Sequence, residues 1–191
     1  IGDFVHRPAG SWTSLVHEFL RYLKASGFNS APMPLGFDDQ GREILSFIEG
    51  EVSNYPLSPN AASVRTLISA AKLLRSYHDA SRNFLAGLSP EKNTWQFQAR
   101  NLQEVICHGD FAPYNVVLDG ENAIGMIDFD TCHPGPRTWD IAYALYRWAP
   151  FTNPSNKDGF GSIEDQIKRA RLFCEAYGLS GPERIGLANL I

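Results

Sequence analysis

Apolar positions along the first fifty residues follow two rhythms. Residues 3–7 (DFVHR) read as a short strand, stopped by Pro8 and Gly10. From Trp12 the spacing becomes helical: Trp12, Leu15, Val16, Phe19, Leu20 and Leu23 share one face, with Ser11 placed to cap the helix and Gly27 to end it. Pro32 and Pro34 then lead into two strands, about 35–37 and 42–48, joined by the turn Asp38-Asp39-Gln40-Gly41. The pattern predicts strand, helix and hairpin, a small α/β lobe over residues 1–50.

Turn-forming residues dominate GEVSNYPLSPN at 50–60, so 51–60 reads as a hinge or linker. Residues 61–191 then form a mainly helical lobe. Asn60 is placed to cap a helix whose apolar stripe is Val64, Leu67, Ile68, Ala71 and Leu74, running toward Tyr77 and His78. Short strands follow near 104–107, 116–118 and 123–127, with a turn at Asp119–Asn122. The run TWDIAYALYRWA at 138–149 is apolar nearly all round and predicts a buried helix. A further helix, about 162–177, ends at Gly178.

Composition narrows the class of partner. At 191 residues, 43% hydrophobic and 20% charged, the chain reads as an ordinary globular protein. A net charge of −4 with scattered Lys and Arg argues against a nucleic-acid partner. No apolar run approaches membrane-spanning length, which argues against a membrane partner. Cys107, Cys132 and Cys174 are odd in number and lack paired spacing, so at least two of them read as buried thiols, with a reducing, cytoplasmic setting as the default. Cys132 and His133 lack the partner pair that a zinc site needs, and His78 and His133 read as structural histidines.

One run carries the chemistry. In CHGDFAPYNVVL at 107–118, Asp110 and Asn115 lie five residues apart in a loop that enters a strand. Asp128, in MIDFD, comes from the far end of the following hairpin, so it can converge with Asn115 on one point. A carboxylate and an amide oxygen there form a hard-oxygen site suited to Mg²⁺ with bound phosphates, while Asp110 can take the proton of an attacking hydroxyl. A plain polar turn is the simpler alternative, but it leaves Asp128 and the acid Asp140 on an apolar helix unexplained.

HGDFAPYN at 108–115 followed by IDFD at 127–130 resembles the aminoglycoside phosphotransferase and choline kinase-like family of small-molecule kinases. The resemblance implies an α+β, bilobal protein-kinase-like fold with a small α/β N-lobe and a mainly helical C-lobe. It implies an ATP- and Mg²⁺-dependent phosphotransferase acting on a hydroxyl of a small-molecule acceptor. In that family's terms Asp110 is the catalytic base and His108 braces the catalytic loop beside it. Asn115 and Asp128 are the metal ligands, and Asp140 bonds back to the loop. Arg7, or less favourably His6, would meet the ATP phosphates, with Glu18 a loose match for its helix partner. Phe47, Ile48 and Glu49 in ILSFIEG would meet adenine. Asp130 fits a metal approach and a solvated loop equally well.

The family normally has two strands and a phosphate-covering loop before the strand that carries Arg7. The resemblance therefore implies an incomplete N-lobe with a bare sheet edge, a route to a homodimer. The last residues, GPERIGLANLI, read as the start of another helix. A non-catalytic kinase-like module that binds nucleotide or ligand is the competing class.

Overall fold

The computed structural model describes residues 2–87, 94–156 and 159–190. Strand β1 (Phe4–Arg7) pairs antiparallel with β3 (Glu43–Ser46), which pairs on its other side with β2 (Pro34–Phe37). The register sets Arg7 opposite Glu43. Helix α1 (Thr13–Ala25) packs Leu15, Val16, Phe19, Leu20 and Leu23 inward, as its spacing predicts. Its entry differs from expectation. Ser11 does not cap it; the Gly10 N–H donates instead to Thr13 Oγ1 at 2.9 Å, and Trp12 takes the cap position without a side-chain bond.

The connection to the helical part contains the short helix α2 (Pro59–Ala62), capped by Ser58, before α3 (Val64–Ser81), capped by Ser63. Asn60 is therefore not a cap. It sits inside α2, and its carbonyl accepts from Thr66 Oγ1 at 2.7 Å. Helix α3 packs against α5 (Ile163–Tyr177), which ends as predicted with Gly178 in the left-handed region at φ 92°. The short helix α6 (Gly181–Arg184) follows.

Among the described residues four short strands lie between α3 and α5 and position the polar loop. β5 (Val116–Asp119) and β6 (Asn122–Met126) form the predicted hairpin, pairing Val116 with Met126. β4 (Val105–Cys107) pairs with β7 (His133–Gly135), a strand the sequence pattern does not reveal. Helix α4 (Arg137–Trp148) follows at once. It is buried along one face, through Asp140, Ile141, Ala144, Leu145 and Trp148, rather than all round; Tyr146 is exposed.

An aromatic cluster joins α1 to α3. The Phe19 ring lies 5.0 Å from Phe84, 5.9 Å from Trp95 and 6.0 Å from Tyr77. Burying such side chains supplies roughly 1.5–3 kcal/mol each, which fixes the α1 sheet on the helical part that carries the loop. Cys107, Cys132 and Cys174 are free and buried, and burial pushes all three thiols up.

Candidate active site

The polar loop leaves β4 at Cys107 and enters β5 through a turn of 3-10 helix, Pro113–Asn115. Asp140, wholly buried on α4, holds its start. Asp140 Oδ2 accepts the His108 N–H at 2.7 Å and Oδ1 accepts the Gly109 N–H at 2.9 Å. His78 lies 2.9 Å away through Nε2, and its Nδ1 lies 2.7 Å from the Tyr177 hydroxyl. Burial opposes charge on Asp140, but the His78 and backbone N–H donors outweigh it and keep the carboxyl below its ordinary range. Burial lowers His78, which holds the imidazole neutral. A neutral ring then donates from Nε2 to Asp140 and accepts from Tyr177 at Nδ1.

Gly109 sits at φ 80°, and a Cβ there would come within 2.6 Å of the Thr131 carbonyl. Only glycine allows this closeness. His108 is wholly buried, with Nε2 3.0 Å from the Ile127 carbonyl and Nδ1 3.3 Å from the Asp110 N–H. It ties the loop to the end of β6 and supports Asp110 without facing solvent.

Asp110 receives three donors. Tyr114 donates to Oδ1 at 2.8 Å, Tyr143 donates to the same oxygen, and Asn115 Nδ2 donates to Oδ2 at 2.9 Å. Burial and these contacts with Asp110 raise the Tyr143 phenol, so it stays protonated. The loop motif marks neither Tyr114 nor Tyr143 as a site residue. A signal was there, because Tyr143 follows Asp140 by three residues and so lies near it on the α4 surface.

With its nitrogen committed to Asp110, Asn115 keeps its amide oxygen for another partner. The Ile127 N–H donates to the Asn115 carbonyl at 2.9 Å, which sets Asp128 beside Asn115 where the hairpin closes. Asp128 itself adopts the left-handed region at φ 64°. Arg7 reaches this point from β1: its NH2 lies 2.8 Å from Asp128 Oδ1 and 2.7 Å from Asp130 Oδ2. Burial alone would lower Arg7, but Asp128, Asp130 and Glu43 hold its guanidinium above its usual value. Burial and nearby Asp128 push the Asp130 carboxyl up despite Arg7. Asp130 is thus an ion-pair partner of Arg7 rather than a solvated loop residue. The α1 residue that meets this network is His17, 2.9 Å from Glu43; Glu18 is exposed.

The donor set suits Mg²⁺ carried in by a phosphate ligand. Among the described residues no three His, Cys, Asp or Glu side chains cluster as a complete metal cage. One half-exposed carboxylate and one amide oxygen are what Mg²⁺ needs when substrate phosphates and water fill its other positions.

Two clefts meet at this loop. A mostly apolar cleft of about 320 Å³ is lined by Val5, Arg7, Phe47, Ile48, Asn115 and Asp128. A second cleft of about 760 Å³ is lined by Asp110, Tyr114 and Tyr143 together with Arg100, His133 and Trp139. The predicted residues divide between them: Arg7, Phe47, Ile48, Asn115 and Asp128 on one side, Asp110 on the other. Glu49 lines neither cleft and is exposed. His6 pairs with Asp38 at 2.9 Å, away from the loop.

The profile of the phosphotransferase enzyme family matches residues 85–178. A trifolitoxin immunity protein of Rhizobium leguminosarum bv. trifolii is 35% identical over 196 aligned positions, spanning 98% of this chain and 72% of that protein. Spectinomycin phosphotransferase in complex with AMP superposes with a TM-score of 0.62 at 14% identity, covering 98% of this chain and 73% of that one. Aminoglycoside-3'-phosphotransferase of type VIII gives 0.59 at 18% identity, covering 98% and 82%. At such identities the structural likeness establishes the bilobal, protein-kinase-like fold.

Proposed function

This chain belongs to the phosphotransferase enzyme family, and from that premise we propose that it transfers the γ-phosphoryl group of ATP, bound with Mg²⁺, to a hydroxyl of a small molecule. The observation that carries this reading is the division of labour across one loop. Asp110 faces the larger cleft, while Asn115, Asp128 and Arg7 face the smaller, apolar one.

In this reading Asp110 orients the acceptor hydroxyl and takes its proton. Arg7 meets the phosphates, and Phe47 and Ile48 pack on adenine. Asn115 and Asp128 would hold Mg²⁺, which supplies charge neutralisation for the phosphates. Asp140 and His108 keep the loop backbone in place. Residues 1–50 serve as the nucleotide lobe, 51–60 as the connection and 61–191 as the lobe with the catalytic loop. The buried free thiols suit a reducing, cytoplasmic setting. The relative named as an immunity protein directs the acceptor search toward antimicrobial compounds that carry a hydroxyl.

The test is calorimetric titration with ATP in the presence and absence of Mg²⁺, followed by ATP consumption across an acceptor panel. Mg²⁺-dependent ATP binding with acceptor-dependent consumption supports the proposal. Binding without consumption by any acceptor favours the non-catalytic module.

A further inference from the structure

The larger cleft is lined by residues ill suited to a polycation. Among the described residues its only carboxylate is Asp110, whose oxygens already receive Tyr114, Tyr143 and Asn115. Several ammonium groups entering there would have one carboxylate among the described residues to share, the one assigned to the acceptor hydroxyl, and the others would lose hydration without compensation. Its charged wall is a cation. The Arg100 guanidinium lies 3.3 Å from the centroid of the Trp139 ring, and both residues line the cleft. Among the described residues no carboxylate pairs with Arg100. A second guanidinium, Arg147, lies outside the cleft but stacks 5.0 Å from Tyr114, the phenol that donates to Asp110.

The remaining walls are flat or offer hydrogen bonds. Phe97, Trp139, Tyr114 and Tyr143 supply aromatic surface. His133 is 3% exposed, and its Nδ1 donates to the Thr131 carbonyl at 2.8 Å. Its Nε2 is buried and has no partner among the described residues, a polar atom left unsatisfied in the wall of the cleft.

Resting on the phosphotransferase reading, we infer that the acceptor is a flat hydroxyl compound bearing an anionic group, and that Arg100, held against Trp139, recognises that anion. Guanidinium suits this role because its planar fork donates two parallel hydrogen bonds to a carboxylate while its face stacks on a ring. In the transfer step the acceptor oxygen bonds to the γ-phosphorus as the bond to the ADP oxygen breaks. The hydroxyl proton passes to Asp110, and ADP leaves.

The probe is 7-hydroxycoumarin-3-carboxylate, a fluorescent flat phenol with a carboxylate, titrated into the whole chain without nucleotide. Saturable binding is expected, weakened about tenfold or more by Arg100→Ala and less by Arg100→Lys, with no displacement by kanamycin. With Mg²⁺ and ATP added, the 7-hydroxyl should be phosphorylated. Three results overturn the inference: no saturable binding, binding unchanged in Arg100→Ala, or displacement of the probe by kanamycin. Circular dichroism of the variants separates loss of the contact from loss of the fold. A separate Mg²⁺–ATP titration distinguishes the two readings, because absent nucleotide binding defeats the phosphotransferase reading while leaving the probe result to judge the cleft.

Discussion

The Arg7 guanidinium lies 2.8 Å from Asp128 Oδ1, joining the first strand to a carboxylate 121 residues further along the chain. The same NH2 lies 2.7 Å from Asp130, so one cation neutralises two neighbouring acids. Replacing it with an uncharged side chain of similar length leaves those acids facing each other. Arg7→Met is expected to tighten binding of Mn²⁺ alone, because the ion takes over the neutralisation, and to weaken ATP binding about tenfold or more. Titration of each ligand separately checks both halves. Weaker Mn²⁺ binding would count against the arrangement.

Asp110 and Asp128 face different clefts, and their substitutions should separate accordingly. Asp110→Asn is expected to lower phosphoryl transfer by about 10²–10⁴-fold while leaving Mg²⁺–ATP affinity within about twofold. Asp128→Ala should instead weaken Mg²⁺-dependent ATP binding. Calorimetry paired with a coupled ATPase assay reads the split, and unchanged turnover in Asp110→Asn would remove Asp110 from the chemistry.

Asp140 is a buried anion held by two backbone N–H groups and His78. Asp140→Leu strands those donors and is expected to cost about 3–5 kcal/mol of stability, measurable by urea denaturation. Asp140→Asn keeps the shape but cannot accept at both atoms, so a smaller loss is expected. A neutral result for Asp140→Leu would mean that the loop is held by other contacts.

His78 and His108 are both lowered below their ordinary value of 6.5, chiefly by burial. As pH falls through 6.5 the unfolded chain takes up protons that the folded chain refuses. Stability is therefore full above that value and lost below it, with a slope of up to about 1.4 kcal/mol per pH unit for each group. Asp140, held below its ordinary 3.8, adds a further loss only under more acidic conditions. Melting temperatures from pH 7.5 down to 5 should fall. The decline should be shallower in His78→Gln, and an equally steep decline there would exclude His78 as a source.

Elements whose signals are local were legible in the chain. The face of α1 and most of that of α3 follow from apolar spacing, although Val64 at the start of α3 is exposed. In α5 the sequence marks only the span and its end, because Gln166 and Arg169 are buried while Ile163 and Ile167 are exposed. Gly178 ends the helix because a left-handed residue satisfies its last carbonyls. The polar loop could be read because Asp110 and Asn115 are fixed by five residues of turn chemistry, and Asp128 follows from the hairpin. Capping was misread where the helix starts fell one or more positions away from those the spacing suggested. Thr13 took the Gly10 donor, and the break between α2 and α3 gave Ser58 and Ser63 the cap positions expected of Asn60.

The sequence by itself determined which residues can do chemistry and which loop holds them, because those depend on residue type and short spacing. Tertiary structure decided what they meet. The pairing of β4 with β7, with Pro134 inside a strand, carries no periodic signal and is imposed by the contacts around it. The bridge from Arg7 to Asp128 and Asp130, the replacement of Glu18 by His17 beside Glu43, and the convergence of Tyr114 and Tyr143 on Asp110 all join distant segments. Such contacts form only when the buried faces of several elements lock together, so no local pattern encodes them.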